Sequence, residues 1–237
     1  MKYKAVIFDM DGTILDTVSD LMDAINYAMA QRDHRHDYDH ETTKLLFGSG
    51  VKVAFERALA LENGAPYSSL EAIGMTNEGE EFGVDQGEVT KLMDIYLPYY
   101  NSHCLIKTGP YPGINELIAK LRKEQVLTAV VSNKPESAVI SLVNDLFTGL
   151  FDYSAGEKPG IKRKPAPDMV RASLDYFGID RSLAVYVGDS EIDMLTAENS
   201  GLDCICVDWG FRGKAFLTEH NAGTIVSDCE ELYKALC

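Results

Sequence analysis

Positive charge is scarce in this chain. Against 37 aspartates and glutamates stand only 22 lysines and arginines, leaving a net charge of −15. Binding to a phosphate backbone needs a basic surface, so the charge argues against nucleic acid as a partner. The same imbalance repels an anionic substrate at long range, so such a substrate has to be held by a local cluster of cation and lysine. Cysteine is sparse too: five, an odd count without a paired framework, as expected of a reducing, cytoplasmic setting. Cys204 and Cys206 have no second Cys or His pair near them, so they read as part of an apolar buried strand rather than a metal site. Uninterrupted apolar runs of about 18 residues are missing, which excludes a membrane-spanning helix. The apolar KAVIF near the N-terminus is too short for a signal peptide and runs straight into acidic residues. Internal repeats and low-complexity tracts are absent as well.

What the chain does have begins at Lys4–Thr13, KAVIFDMDGT. Ala5 to Phe8 suits a strand buried on both faces, and it ends in two aspartates one residue apart. Residues i and i+2 of an extended chain point the same way, so Asp9 and Asp11 both lean beyond the strand's carboxyl end. Open parallel sheets bind their ligands there. Two carboxylates held so close push one pKa strongly upward unless a cation lies between them, and hard oxygen ligands favour magnesium. Asp-x-Asp-Gly alone is a common turn. Its place directly after an apolar strand and before a helix favours the functional reading.

Residues 16–100 read as helical, without a convincing strand. Thr17 with Asp20 has the form of a capping box, and Leu21, Ala24, Ile25, Ala28 and Met29 follow at helical spacing. His34, His36 and His40 lie in a polar stretch and read as solvated loop residues, since no ligand-spaced partner supports a metal site. Short helices are expected at Thr42–Phe47 and from Val51, then irregular chain, then a helix over Glu88–Leu97 ending near Pro98. From Tyr111 onward strands and helices alternate, with strands at Leu127–Val131, Leu150–Ser154, Leu183–Val187, Asp203–Val207 and Thr224–Val226, and a last helix capped by Ser227 with Glu230. That alternation predicts an α/β fold, a doubly wound parallel sheet of Rossmann-like type. The expected domains are a core of 1–15 and 101–237 and a smaller all-helical domain, 16–100, inserted after the first strand.

Four polar signals fall at or beside the carboxyl ends of strands: Asp9 with Asp11, Ser132 with Asn133, Lys164, and Asp189 with Asp193. Singly, each has a plain structural reading as a helix cap, a solvated lysine or a turn. Together and in this order, FDMDGT, VVSN, KPAP and VGDSEID resemble the four motifs of the haloacid dehalogenase superfamily of phosphotransferases. YPG at Tyr111–Gly113 and DWGFR at Asp208–Arg212 are similar to further landmarks of that family. The helical insert looks like its C1-type mobile cap, and GSGVKVAFERAL, Gly48–Leu59, resembles the cap segment of the phosphoglycolate phosphatase-like group.

The resemblance implies a magnesium-dependent phosphatase for a small phosphorylated metabolite, with 2-phosphoglycolate as the first substrate to test. Asp9 would be the nucleophile that becomes an aspartyl-phosphate, and Asp11 would protonate the leaving oxygen and then accept a proton from water. Lys164 would offset the charge of the reacting groups, and Thr13, Ser132, Asn133 and Lys164 would hold the substrate. Magnesium would be bound by Asp9, Asp189 and the backbone carbonyl of Asp11, with Asp193 orienting the shell. The cap would close to exclude bulk water. Asp11 argues against a dehalogenase, which lacks it, and the missing membrane spans argue against an ion pump. A nucleotidase, pyrophosphatase or phosphosugar mutase on the same core stays open, as does a non-catalytic phosphate sensor. Specificity would rest on cap residues, for which Gly48, Ser49, Gly50, Lys52 and Arg57 are candidates, Arg57 being equally readable as a solvated surface residue. Either a monomer or a homodimer is compatible with the sequence.

Overall fold

The computed structural model describes Met1–Cys237. Strand β1 (Ala5–Phe8) is followed by the two-residue β2 (Leu15–Asp16) and then by helices α1 (Val18–Ala30), α2 (His40–Leu46), α3 (Val51–Glu62) and α4 (Gln86–His103). The chain returns through β3 (Gly109–Pro110), which pairs antiparallel with β2, to α5 (Ile114–Lys123), β4 (Leu127–Pro135) and α6 (Glu136–Leu146). Then come β5 (Tyr153–Glu157), α7 (Asp168–Phe177), β6 (Ala184–Gly188), α8 (Glu191–Ser200) and β7 (Asp203–Val207), and finally α9 (Lys214–Glu219), β8 (Thr224–Val226) and α10 (Cys229–Leu236). None of these helices is long and apolar enough to cross a membrane.

The chain divides into two compact units, Met1–Asp16 with Gly109–Cys237, and Thr17–Thr108. The second is longer than the 16–100 read from sequence, because α4 carries on through Pro98 to His103. Proline's missing N–H and ring disfavour a helix interior, yet here they do not end the helix.

In the first unit six strands form a wholly parallel sheet in the order β5-β4-β1-β6-β7-β8. Alternate residues of β1 explain the two layers of helices. Val6 and Phe8 pack with Ile118, Leu121, Leu142 and Leu232 on one face. Ala5 and Ile7 pack with Val170, Leu174 and Ala197 on the other. Both faces are covered, as the continuous apolar strands require. β1 lies between β4 and β6, so the order reverses at β1, and the crevice beyond its carboxyl end is the expected binding place of such a sheet.

Two caps differ from the sequence reading. Thr17 precedes α1 without a side-chain cap, and Asp20 instead accepts the backbone N–H groups of Lys107 and Thr108 at 2.9–3.1 Å. Its carboxylate thus ties the end of the helical unit to its first turn. At the last helix Asp228, not Ser227, is the N-cap, accepting from the Glu231 N–H. His34 is not simply solvated: its ring nitrogens lie 2.9 Å from Glu62 and 3.4 Å from Glu88.

Arg57 is neither a surface residue nor free to meet a ligand. It is 0% exposed, and its guanidinium donates to the carbonyls of Leu45, Leu46 and Ile73. The residue therefore holds the C-terminal end of α2 and the turn near Ile73 against α3. Arg57→Met keeps much of the bulk but strands those carbonyls, at about 1–3 kcal/mol for each buried group left unsatisfied. We expect a loss of about 3 kcal/mol in denaturant unfolding. Unfolding indistinguishable from wild type would remove this role.

Candidate active site

Parallel pairing brings the acidic residues together. Phe8 of β1 stands opposite Val187 of β6, and the Asp9 N–H donates to the Val187 carbonyl at 2.9 Å, extending the ladder one residue past β1. Asp189 follows directly on β6 and Asp193 lies in the first turn of α8. Asp9, Asp189 and Asp193 are all buried, each with a carboxylate oxygen within 4.8 Å of the others. The carboxylate of Asp11 is not among these converging groups.

Lys164 reaches this cluster from the loop between β5 and α7. Its ammonium donates to Asp9 Oδ1 at 2.6 Å, Asp193 Oδ1 at 2.8 Å and the Tyr186 hydroxyl at 3.1 Å. Asn133, in β4, braces the lysine's backbone: its Nδ2 donates to the Lys164 carbonyl at 3.2 Å and its Oδ1 accepts the Lys164 N–H at 2.8 Å. The amide that sequence assigned to substrate is thus engaged with the lysine loop. Ser132 Oγ accepts the Lys134 N–H at 3.2 Å.

Asp193 is held on both oxygens. Oδ2 accepts the N–H groups of Asp189 and Ser190 at 3.1 Å each and the Ser190 hydroxyl at 2.7 Å, while Oδ1 faces Lys164 and Tyr186. So although its oxygens lie close enough to share an ion, both already accept hydrogen bonds. Asp189 accepts the Thr13 hydroxyl on Oδ1 at 3.1 Å and the Phe211 N–H on Oδ2 at 2.6 Å. Thr13, another predicted substrate residue, therefore faces a carboxylate. Close approach of backbone to Asp189 requires glycine on both sides. A Cβ on Gly12 would lie 2.3 Å from Asp189 Oδ2, and one on Gly210 would lie 2.4 Å from it. Gly12 also has φ of +83°, which disfavours any side chain.

Asp11 sits apart with Lys134. Their Oδ1 and Nζ are 3.1 Å apart, an ion pair without hydrogen-bond geometry, and Oδ1 is buried with no hydrogen-bond partner. Lys134 is 3% exposed along its side chain. Sequence reasoning stopped at Ser132-Asn133 and missed it, because a lysine in VVSNKP carries no mark separating it from a solvated one. Tyr186 and the Phe211 N–H were missed for related reasons. An aromatic in a buried strand reads as core, and a backbone donor has no sequence signature.

Electrostatics show what the cluster needs. Asp9 and Asp193 share one ammonium, that of Lys164, in a buried setting, and Asp189 lies beside them. Burial pushes the Asp9 carboxyl well above the usual range, with Lys164 opposing the rise and the Asp193 and Asp189 carboxylates adding to it. Asp189 is pushed up to about 7 by burial and by Asp193, with the Phe211 N–H working against the shift. Burial also disfavours the charged form of Lys164, but Asp193 and Asp9 outweigh it and hold the ammonium charged. A divalent cation would supply the missing positive charge. Buried carboxylate oxygens are hard donors of the kind that magnesium, manganese and calcium take, so the residues present fit such an ion.

The family model described as haloacid dehalogenase-like hydrolase matches residues 6–207. The chain belongs to the haloacid dehalogenase-like hydrolases. Among relatives of this hydrolase, a phosphoglycolate phosphatase of Mesorhizobium japonicum is 29% identical over 233 residues, 98% of this chain and 94% of that protein. A crystal structure from Lactobacillus delbrueckii subsp. bulgaricus superposes with a TM-score of 0.96 at 53% identity, over 100% of this chain and 99% of the other. CbbY from Rhodobacter sphaeroides, crystallised with phosphate, shares the fold, with a TM-score of 0.69 at 22% identity over 97% and 96% of the two chains.

Proposed function

We propose that this hydrolase is a magnesium-dependent phosphatase of small phosphomonoesters, with 2-phosphoglycolate the first substrate to test. The observation that carries the reading is the buried contact of Lys164 with Asp9 beside Asp189. A carboxylate can attack a phosphate dianion only where positive charge offsets their repulsion. Lys164 supplies part of that charge. A divalent cation held by Asp9 and Asp189 would supply the rest, lowering the charge on the phosphoryl oxygens.

In the proposed reaction the Asp9 carboxylate attacks phosphorus and the bond to the substrate oxygen breaks. Asp11 gives that oxygen its proton. Water then attacks the aspartyl-phosphate, passes its proton to Asp11 and releases inorganic phosphate, which restores Asp9. Asn133 acts through Lys164 by fixing its backbone, Thr13 acts through Asp189, and Ser132 would hold substrate oxygens. The helical unit Thr17–Thr108 is the family's cap in this reading, and substrate choice belongs to it. The phosphoglycolate phosphatase relative supports the choice of substrate. Five free cysteines suit a cytoplasmic enzyme.

Purified protein with Mg2+ is expected to release phosphate from 2-phosphoglycolate within a panel of phosphorylated metabolites and p-nitrophenyl phosphate. No release from any of them would end the proposal. The pH dependence of cation binding follows from the raised carboxyls. Asp189 is pushed up to about 7, so the cation-free protein holds protons that binding must expel. Mg2+ affinity should rise about tenfold per pH unit for one linked proton and flatten above about pH 7. Cation-free stability runs the other way. With a folded pKa above the unfolded value of about 3.9, this group's contribution is complete below about pH 4 and is lost as pH rises through about 7. Calorimetric titrations with Mg2+ across that window check the first trend, and a flat affinity would contradict it.

A further inference from the structure

The Phe211 N–H on Asp189 comes from a loop, and that loop is fastened from behind. Arg212, the next residue, faces Glu191 with Nε 3.1 Å from Oε2 and Nη2 3.3 Å from Oε1. Both side chains are only 5% exposed. Glu191 opens α8, the helix that also carries Asp193, so the pair links the loop after β7 to the segment that holds two of the clustered acids. On the loop's other side the Trp209 indole N–H donates to the Thr13 carbonyl at 3.1 Å. Between them, a Cβ on Gly210 would lie 2.3 Å from the Gly12 carbonyl oxygen, so the loop passes against the turn after β1 with no space to spare.

A buried ion pair is a poor source of stability, because desolvating two charges costs about as much as their attraction returns. Its more useful property is geometric, since the planar fork of an arginine fixes direction as well as distance. We propose that Arg212 and Glu191 are positioning residues that set the loop so that the Phe211 N–H is aimed at Asp189 Oδ2. With Thr13 on Oδ1, that bond fixes the plane of the carboxylate and the direction of its remaining lone pairs. The proposal rests on the reading that Asp189 helps to hold a divalent cation. Groups that orient a metal ligand commonly change metal affinity by about 10–100-fold when removed.

The test is Mg2+ binding by calorimetry without substrate, combined with hydrogen exchange at the Phe211 amide. The double variant Arg212→Met/Glu191→Leu removes both buried charges together, a change that folded proteins often tolerate. It should melt near the wild-type temperature, bind Mg2+ about tenfold more weakly and exchange the Phe211 amide faster, while amides of β6 stay protected. A folded double variant with wild-type Mg2+ affinity overturns the proposal. If that variant does not fold, Glu191→Gln decides, since it keeps volume and a hydrogen-bonding oxygen. A several-fold loss of affinity with faster Phe211 exchange supports positioning, and no change in either quantity overturns it. Wild-type protein that binds Mg2+ without releasing phosphate from any substrate would refute the phosphatase reading alone. Wild-type protein that binds no Mg2+ would refute the cation reading, and the positioning role with it, before any variant is compared.

Discussion

Asp9→Asn should leave a folded protein whose phosphate release has fallen by about ten-thousandfold or more, the scale seen when a catalytic nucleophile is removed. Asparagine keeps the shape of the side chain and an oxygen that can accept from Lys164, but its amide does not form the acyl-phosphate intermediate. Loss of fold cannot account for the result, because the expected stability change has the opposite sign. The Asp9 carboxyl is raised by burial and by neighbouring Asp193 and Asp189, so its ionised form is an electrostatic burden on the cation-free protein. Neutralising it should leave the cation-free melting temperature near pH 8 unchanged or higher, while weakening Mg2+ binding. Steady-state phosphate release and melting curves with and without Mg2+ measure both effects. Activity within about a hundredfold of wild type would remove Asp9 from the nucleophile's role.

Asp9 and Asp189 could be found from sequence because strand ends project them toward one another. Asp9 and Asp189 each follow an apolar strand whose burial pattern fixes its place in the sheet, and the register of β1 with β6 does the rest. What sequence could not give was the partner of each group. Asn133 looked like a substrate contact because it shares a motif with Ser132, yet its amide spans the Lys164 backbone across 31 residues. Arg57 looked like a solvated or specificity residue because arginine usually is exposed, and only the fold brings four carbonyls around it. The Thr17–Asp20 pattern is another example. The acid that local spacing assigned to a cap bonds instead to Lys107 and Thr108, a pairing set by where the helical unit ends. Local patterns located the elements, whereas long-range hydrogen bonds decided what the polar residues do.

Lys164→Met is the second change with a large expected effect, and its stability sign is opposite to that of Asp9→Asn. Lys164 is 2% exposed along its side chain and lies within 2.8 Å of both Asp9 and Asp193. Methionine fills similar space but leaves those carboxylates, with Asp189 beside them, without the ammonium. Breaking a buried pair on one side costs about 3–5 kcal/mol. The loss should therefore be of that order in cation-free protein near pH 8, shrinking in acid as the carboxyls take up protons and shrinking again when Mg2+ is added. Phosphate release should fall by about a hundred- to a thousandfold even where the variant is folded, since charge on the transferring group is no longer offset. The two substitutions should also be coupled. In the Asp9→Asn/Lys164→Met double variant one carboxylate charge has left along with the ammonium, so Asp9→Asn should stabilise the Lys164→Met background by more than it stabilises wild type, an interaction read from a double-mutant cycle. Additive stability changes would mean that Lys164 is not the counter-charge of Asp9, and the electrostatic basis proposed for the reaction would fall with that result.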